Sequence, residues 1–178
     1  ATRYFWLGPD AQNESISQGY DGNVEDQLLH KIEWPHDGYR LYEIGTPLRN
    51  GGERIHWLNR MFESNCLFMT RALFEGQGGA DERFDLPGGG FINLDIFGRA
   101  VDAPGVTAVQ LIGEGCFHQL HGGTTTNVSI EQRDMSLDKY RRQFEEIRGH
   151  GDVVTKKTFY YMGHLPTKAS KIHRGSNK

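Results

Sequence analysis

Glu114, His118 and His121 fall within eight residues of one another, and Gly122-Gly123 and Thr124-Thr125-Thr126-Asn127 follow at once. Imidazoles at this spacing suit coordination of a divalent cation or donation to phosphate oxygens. The threonine hydroxyls and the asparagine amide suit a sugar or diphosphate pocket, or else serve only their own loop backbone. HxxH without glutamate at its second position is not a zinc-protease motif. Upstream, Asp81, Glu82, Asp85 and Asp95 surround the triple glycine Gly88-Gly89-Gly90. A carboxylate there can accept a proton or orient a hydroxyl. Glycines before a helix leave amides open to an anion, or act simply as a hinge. Asp95 also precedes Arg99 by four residues, the spacing of a helix salt bridge. Glu63 is a further carboxylate candidate. Neither the triple glycine nor Gly113-Glu114-Gly115 fits a dinucleotide or P-loop fingerprint.

These residues need a scaffold, and 178 residues with 37% hydrophobic content allow one sizeable core. The formal net charge of -3 gives no basic field for phosphate backbones, so nucleic acid is not an expected partner. No apolar run reaches the roughly 20 residues of a membrane span, and the expected location is the cytoplasm. Cys66 and Cys116 lack CxxC spacing and read as two thiols of a reducing compartment.

Periodicity predicts a strand over 4–7, a polar loop over 10–22, a helix over 23–33 and a half-buried strand over 39–44. A glycine-rich loop over 47–53, a strand over 65–70, a short helix over 71–75 and a helix over 92–101 are expected next. Residues 106–112 are the most apolar run and predict a central strand. A further strand ends near Phe117, leaving the histidines at its mouth. Ser136 is expected to cap an amphipathic helix ending at Arg148. Lys168, Lys171, Arg174 and Lys178 read as a solvated basic tail. The alternation of strands and helices predicts an α/β fold, a mixed twisted sheet with flanking helices.

Gly78-Gly79-Ala80-Asp81-Glu82-Arg83-Phe84 resembles the GGxDExF signature of the family-2 glycosyltransferases and their GT-A relatives. The glycine hinge with Asp95 and Arg99 is similar to the "GxxxDxxxR" helix of those families, and a histidine after the next strand to their terminal histidine. GYDGNVEDQLL, WPHDGYRLYEI, LPGGGFINLDIFGRA and GEGCFHQLHGGTTTN resemble one bacterial branch. The resemblance covers most of 19–127. It implies transfer of a sugar from a nucleotide-sugar donor to a glycan or other hydroxyl acceptor, with manganese or magnesium. His118 or His121 would hold the metal-diphosphate, and Asp81, Glu82 and Asp95 are the catalytic candidates. Gly88, Gly89, Gly90, Asn93, Arg99, Thr124, Thr125 and Asn127 would meet the substrate.

Two departures shape the expectation. The metal-binding DxD and the nucleotide-binding βαβ half of such enzymes are not seen. The chain therefore resembles a partial GT-A domain, an acceptor-side part over 1–135 followed by a helix and basic tail over 136–178. In isolation it is expected to be inactive or nearly so. Ile92-Asn93 stands where inverting relatives carry a Glu-Asp pair, so either another carboxylate is the base or the chemistry retains configuration. An exposed edge left by missing strands predicts a homodimer. Two rival readings remain: a carbohydrate-binding or assembly module, and a cupin-type oxygenase using Glu114, His118 and His121.

Overall fold

The computed structural model describes residues 1–50, 53–54, 57–151 and 155–169. Lys171, Arg174 and Lys178 of the expected basic tail, and part of the 47–53 loop, lie outside the described residues. The fold is mixed α/β. Strand β1 (Arg3–Leu7) is the middle of a three-stranded sheet, antiparallel to β2 (Gly45–Pro47) and parallel to β6 (Gly115–His118). Phe5 is fully buried, and Tyr4 and Leu7 nearly so, as befits a strand covered on both faces. A short antiparallel pair, β3 (Arg49–Asn50) with β4 (Glu53–Arg54), follows β2. The apolar run at 106–112 yields a shorter strand, β5 (Val109–Ile112), parallel to β7 (Tyr160–Gly163). It is not central to a large sheet: the Leu111 amide donates to the Ala1 carbonyl at 2.9 Å on one side, and β7 closes the other. All four residues of β7 are exposed, and this is the edge on which the expected pairing of two copies would rest.

The helices form where capping chemistry allows. Helix α1 (Gln12–Ser17) replaces the polar loop expected there, with Ser15 fully buried and its hydroxyl donating to the Asp10 carbonyl at 3.1 Å. Helix α2 (Gly22–Lys31) starts one residue early because Asp21, not Asn23, accepts from the Val24 amide at 2.9 Å. Tyr39 and Tyr42 do not alternate along a strand. Asp37 caps a 3-10 turn (Gly38–Arg40) that runs into helix α3 (Leu41–Ile44), placing the two rings on one face, 6.5 Å apart. The strand starts only at Gly45, where a Cβ would come within 2.7 Å of the Phe117 ring. Residues 65–70 form no strand; helix α4 (Arg71–Gly76) is capped by Thr70.

Helix α5 (Ile92–Asp102) buries Phe97 and Val101 against Met61, Ala108 and Phe159. Helix α6 (Ile130–Arg148) begins six residues before the expected site. Ser129 accepts from the Gln132 amide while the Gln132 side chain accepts from the Ser129 amide, a complete capping box. Ser136 lies inside the helix and donates back to the Gln132 carbonyl at 3.0 Å. Ser129→Ala should therefore cost about 1 kcal/mol in a urea titration. Ser136→Ala should fall within about 0.5 kcal/mol of wild type. The boundary expected at 135/136 falls within α6, whose Tyr140 and Phe144 pack on Phe84 and Phe91, so the helix shares the preceding core. Among the described residues no helix is long and apolar enough to cross a membrane.

Candidate functional site

Strand alternation sends Tyr4 and Trp6 to one face of β1, and the parallel register sets His118 directly beside Trp6. The imidazole packs edge-on against both, with ring centroids 4.8 Å from Trp6 and 5.7 Å from Tyr4. These three side chains floor a cavity of about 370 Å³. Its walls bring together Gly88 and Gly90 of the glycine bend, Asn93 of α5, the Thr124, Thr125 and Thr126 loop, and Glu63.

The bend requires glycine. Gly88, Gly89 and Gly90 have φ of +78°, +77° and +53°, a region where a side chain is strained. A Cβ on Gly88 would also run into the Thr124 hydroxyl. Tyr140 fastens the bend by donating to the Pro87 carbonyl at 2.5 Å. Helix α5 opens on the cavity without a side-chain cap, which leaves its first amides to a ligand or water.

His118 and His121 meet through their Nε2 atoms at 2.9 Å, one donating and the other accepting. Burial, then the neighbouring His121, holds the His118 pKa below the ordinary imidazole value, so this ring is neutral at pH 7. The loop carrying His121 is tied down from two helices. Gln12 of α1 donates to the His121 carbonyl at 2.7 Å, and the buried Glu25 of α2 accepts from the Leu120 amide at 2.9 Å. Two imidazole nitrogens fit part of a divalent coordination shell, and oxygen ligands such as those of a diphosphate suit the rest. Among the described residues no group of three or more His, Cys, Asp or Glu is placed to hold a metal ion.

Other candidates lie elsewhere. Asp95, with its side chain 1% exposed, accepts from Arg99 Nε at 2.8 Å and from Arg148 Nε at 2.6 Å and Nη2 at 2.8 Å. Arg99 also donates to the Gln77 and Gly79 carbonyls, each at 2.7 Å, which turns it away from the cavity. Asp81 accepts from Arg83 Nη2 at 2.7 Å and Arg148 Nη1 at 2.9 Å. The Arg83 hydrogen bond, aided by Arg148, keeps its carboxyl well below the usual carboxylate range. Asp81, Glu82, Asp95, Arg99 and Asn127 do not line the cavity, and Gly89 and His121 stand just behind it. Glu114 is exposed and accepts from the Tyr39 hydroxyl at 2.8 Å, so the triad that an oxygenase would need is not assembled.

Sequence reasoning passed over Tyr4 and Trp6 as site residues. Their i, i+2 spacing in an aromatic strand was the available signal. Gln12 and Glu25 gave no such signal, since each reaches the histidine loop from about a hundred residues away. No protein-family model, curated protein or solved structure matches this chain.

Proposed function

We propose that this chain is the acceptor-side part of a glycosyltransferase of GT-A type, acting on a nucleoside-diphosphate sugar and a hydroxyl acceptor. One observation carries the reading: the glycine bend, Asn93, the threonine loop and His118, drawn from three separate stretches of sequence, line a single cavity. The cavity chemistry suits an oxygenated ligand. Threonine hydroxyls and the open end of α5 offer donors to sugar and phosphate oxygens, while Tyr4 and Trp6 offer apolar ring faces to a sugar. His118, with His121 behind it, is suited to a metal-diphosphate. A divalent ion bound there would neutralise charge on the departing diphosphate. The chain's own contribution is positioning: the arginine cluster holds α5 and its glycine bend, and Gln12 and Glu25 hold the histidine loop.

Calorimetric titration of the full-length protein, of which this chain would be the acceptor-side part, with UDP- and GDP-sugars and manganese tests this reading. Binding should appear in the wild type and weaken at least about tenfold in His118→Ala. Absence of nucleotide-sugar binding together with binding of free glycans would instead make the aromatic floor part of a carbohydrate-binding module.

A further inference from the structure

We propose that Glu63 is the catalytic base of this site, taking the proton from the acceptor hydroxyl. The assignment rests on the transfer reading above. Among the described residues, Glu63 is the one carboxylate that lines the cavity. The other acids around the site are engaged: Asp81 and Asp95 by arginines, Glu25 by the Leu120 amide and the Tyr20 hydroxyl, Glu114 by Tyr39. Among the described residues, the hydrogen bond to Glu63 comes from Asn93 Nδ2 to Oε2 and is long, 3.4 Å, with Oε1 left to meet a ligand hydroxyl. Asn93 is the second residue of α5, just after the glycine bend, so this contact holds the carboxylate beside the bend on the cavity wall.

Proton chemistry agrees with that geometry. Burial pushes the Glu63 carboxyl above its ordinary value, and the Asn93 amide opposes this only in part. Burial, then the Glu63 charge, raises the pKa of Tyr4, whose ring abuts His118 on the cavity floor. Among the described residues, the remaining ionisable groups around the spaces that Glu63 lines are Arg3 of β1, His118 of β6, and Arg133 and Tyr140 of α6. A carboxylate held in a partly dry site with a raised pKa is a better proton acceptor than one in water.

The step balances. The acceptor oxygen forms its bond to the anomeric carbon as its proton passes to Glu63. The bond from that carbon to the diphosphate oxygen breaks, and its electron pair departs with the nucleoside diphosphate. Direct displacement inverts the anomeric centre, and Glu63 then returns its proton to water.

The test measures nucleoside diphosphate released by the full-length protein. The probes are UDP-glucose, UDP-galactose, UDP-N-acetylglucosamine and GDP-mannose with manganese, against a panel of mono- and disaccharides. Glu63→Gln should lower kcat at least about 100-fold with little change in KM, and should make the acid limb of the pH profile less steep, leaving only the share from the His118 imidazole. In the wild type that limb should lie above the ordinary glutamate pKa of about 4.3. Glu63→Asp should recover part of the rate. Proton NMR of the wild-type product should show an inverted anomer, a readout independent of how any variant folds. Wild-type turnover with a retained anomer, or a folded Glu63→Gln protein as fast as wild type, would overturn the assignment alone. A wild type that neither binds nor turns over any nucleotide sugar would overturn the transfer reading, and the assignment with it.

Discussion

Arg148→Met is expected to destabilise the fold by about 3 kcal/mol, because it leaves the Asp95 carboxylate buried with one guanidinium where it had two. The Asp95 side chain is 1% exposed, so water cannot replace the lost partner. A urea titration should show the midpoint falling by roughly 1 to 2 M at an ordinary slope. The exposed Arg141–Asp138 pair, 2.7 Å apart on the same helix, is the control. Arg141→Met should change the unfolding free energy by no more than about 0.5 kcal/mol, since exposed pairs contribute little. The combined Asp95→Asn and Arg148→Met variant should lose clearly less than the sum of its parts, as expected when two residues share one network. The consequence reaches the cavity, because Arg148 binds the end of α6 to the helix that carries Asn93 and the glycine bend.

Gly113→Ala should cost a further class of stability, about 3 kcal/mol. Gly113 has a φ of +83°, where an L side chain costs roughly 1 to 2 kcal/mol. Its Cβ would also press on the His164 carbonyl oxygen and lie 2.7 Å from Pro166 Cδ, adding overpacking of about 1 to 3 kcal/mol. The obstacle is backbone and cannot swing aside as a side-chain tip could. Differential scanning calorimetry should register a fall in Tm of about 6 to 12 °C for a chain of this size. Gly105→Ala is the comparison: its φ is +76°, but nothing stands within 4 Å of the added carbon, so only the conformational share should be lost.

The contrast between legible and illegible elements has physical causes. Strand β1, helix α5 and strand β6 were visible in the sequence because each carries local apolar patterning, and α5 follows a glycine run that suits a helix start. The 39–44 segment failed because Tyr39, Leu41 and Ile44 imitate the alternation of a strand, whereas the Asp37 side chain, two residues before Tyr39, caps a helical turn there. Ser129 and Ser136 both stand before acidic and apolar residues; only the reciprocal Gln132 contact distinguishes the true cap. In the candidate site, residue types clustered in sequence were readable: the glycines, His118 and the threonines. Glu63 gained weight only from Asn93, thirty positions on, a proximity that no local pattern encodes. Asp95 shows the reverse case, a carboxylate in a motif whose structural partners sit at 99 and 148.

The parallel register of β1 with β6 sets Arg3 opposite Gly115, joining the two ends of more than a hundred residues of chain. Such a ladder cannot zip from a local turn; its loop-closure entropy must be met before any of its hydrogen bonds form. The floor of the cavity is therefore expected to assemble late in folding, after the locally closed helices have formed. A newly made chain would carry Tyr4 and Trp6 without their His118 neighbour until β6 had emerged.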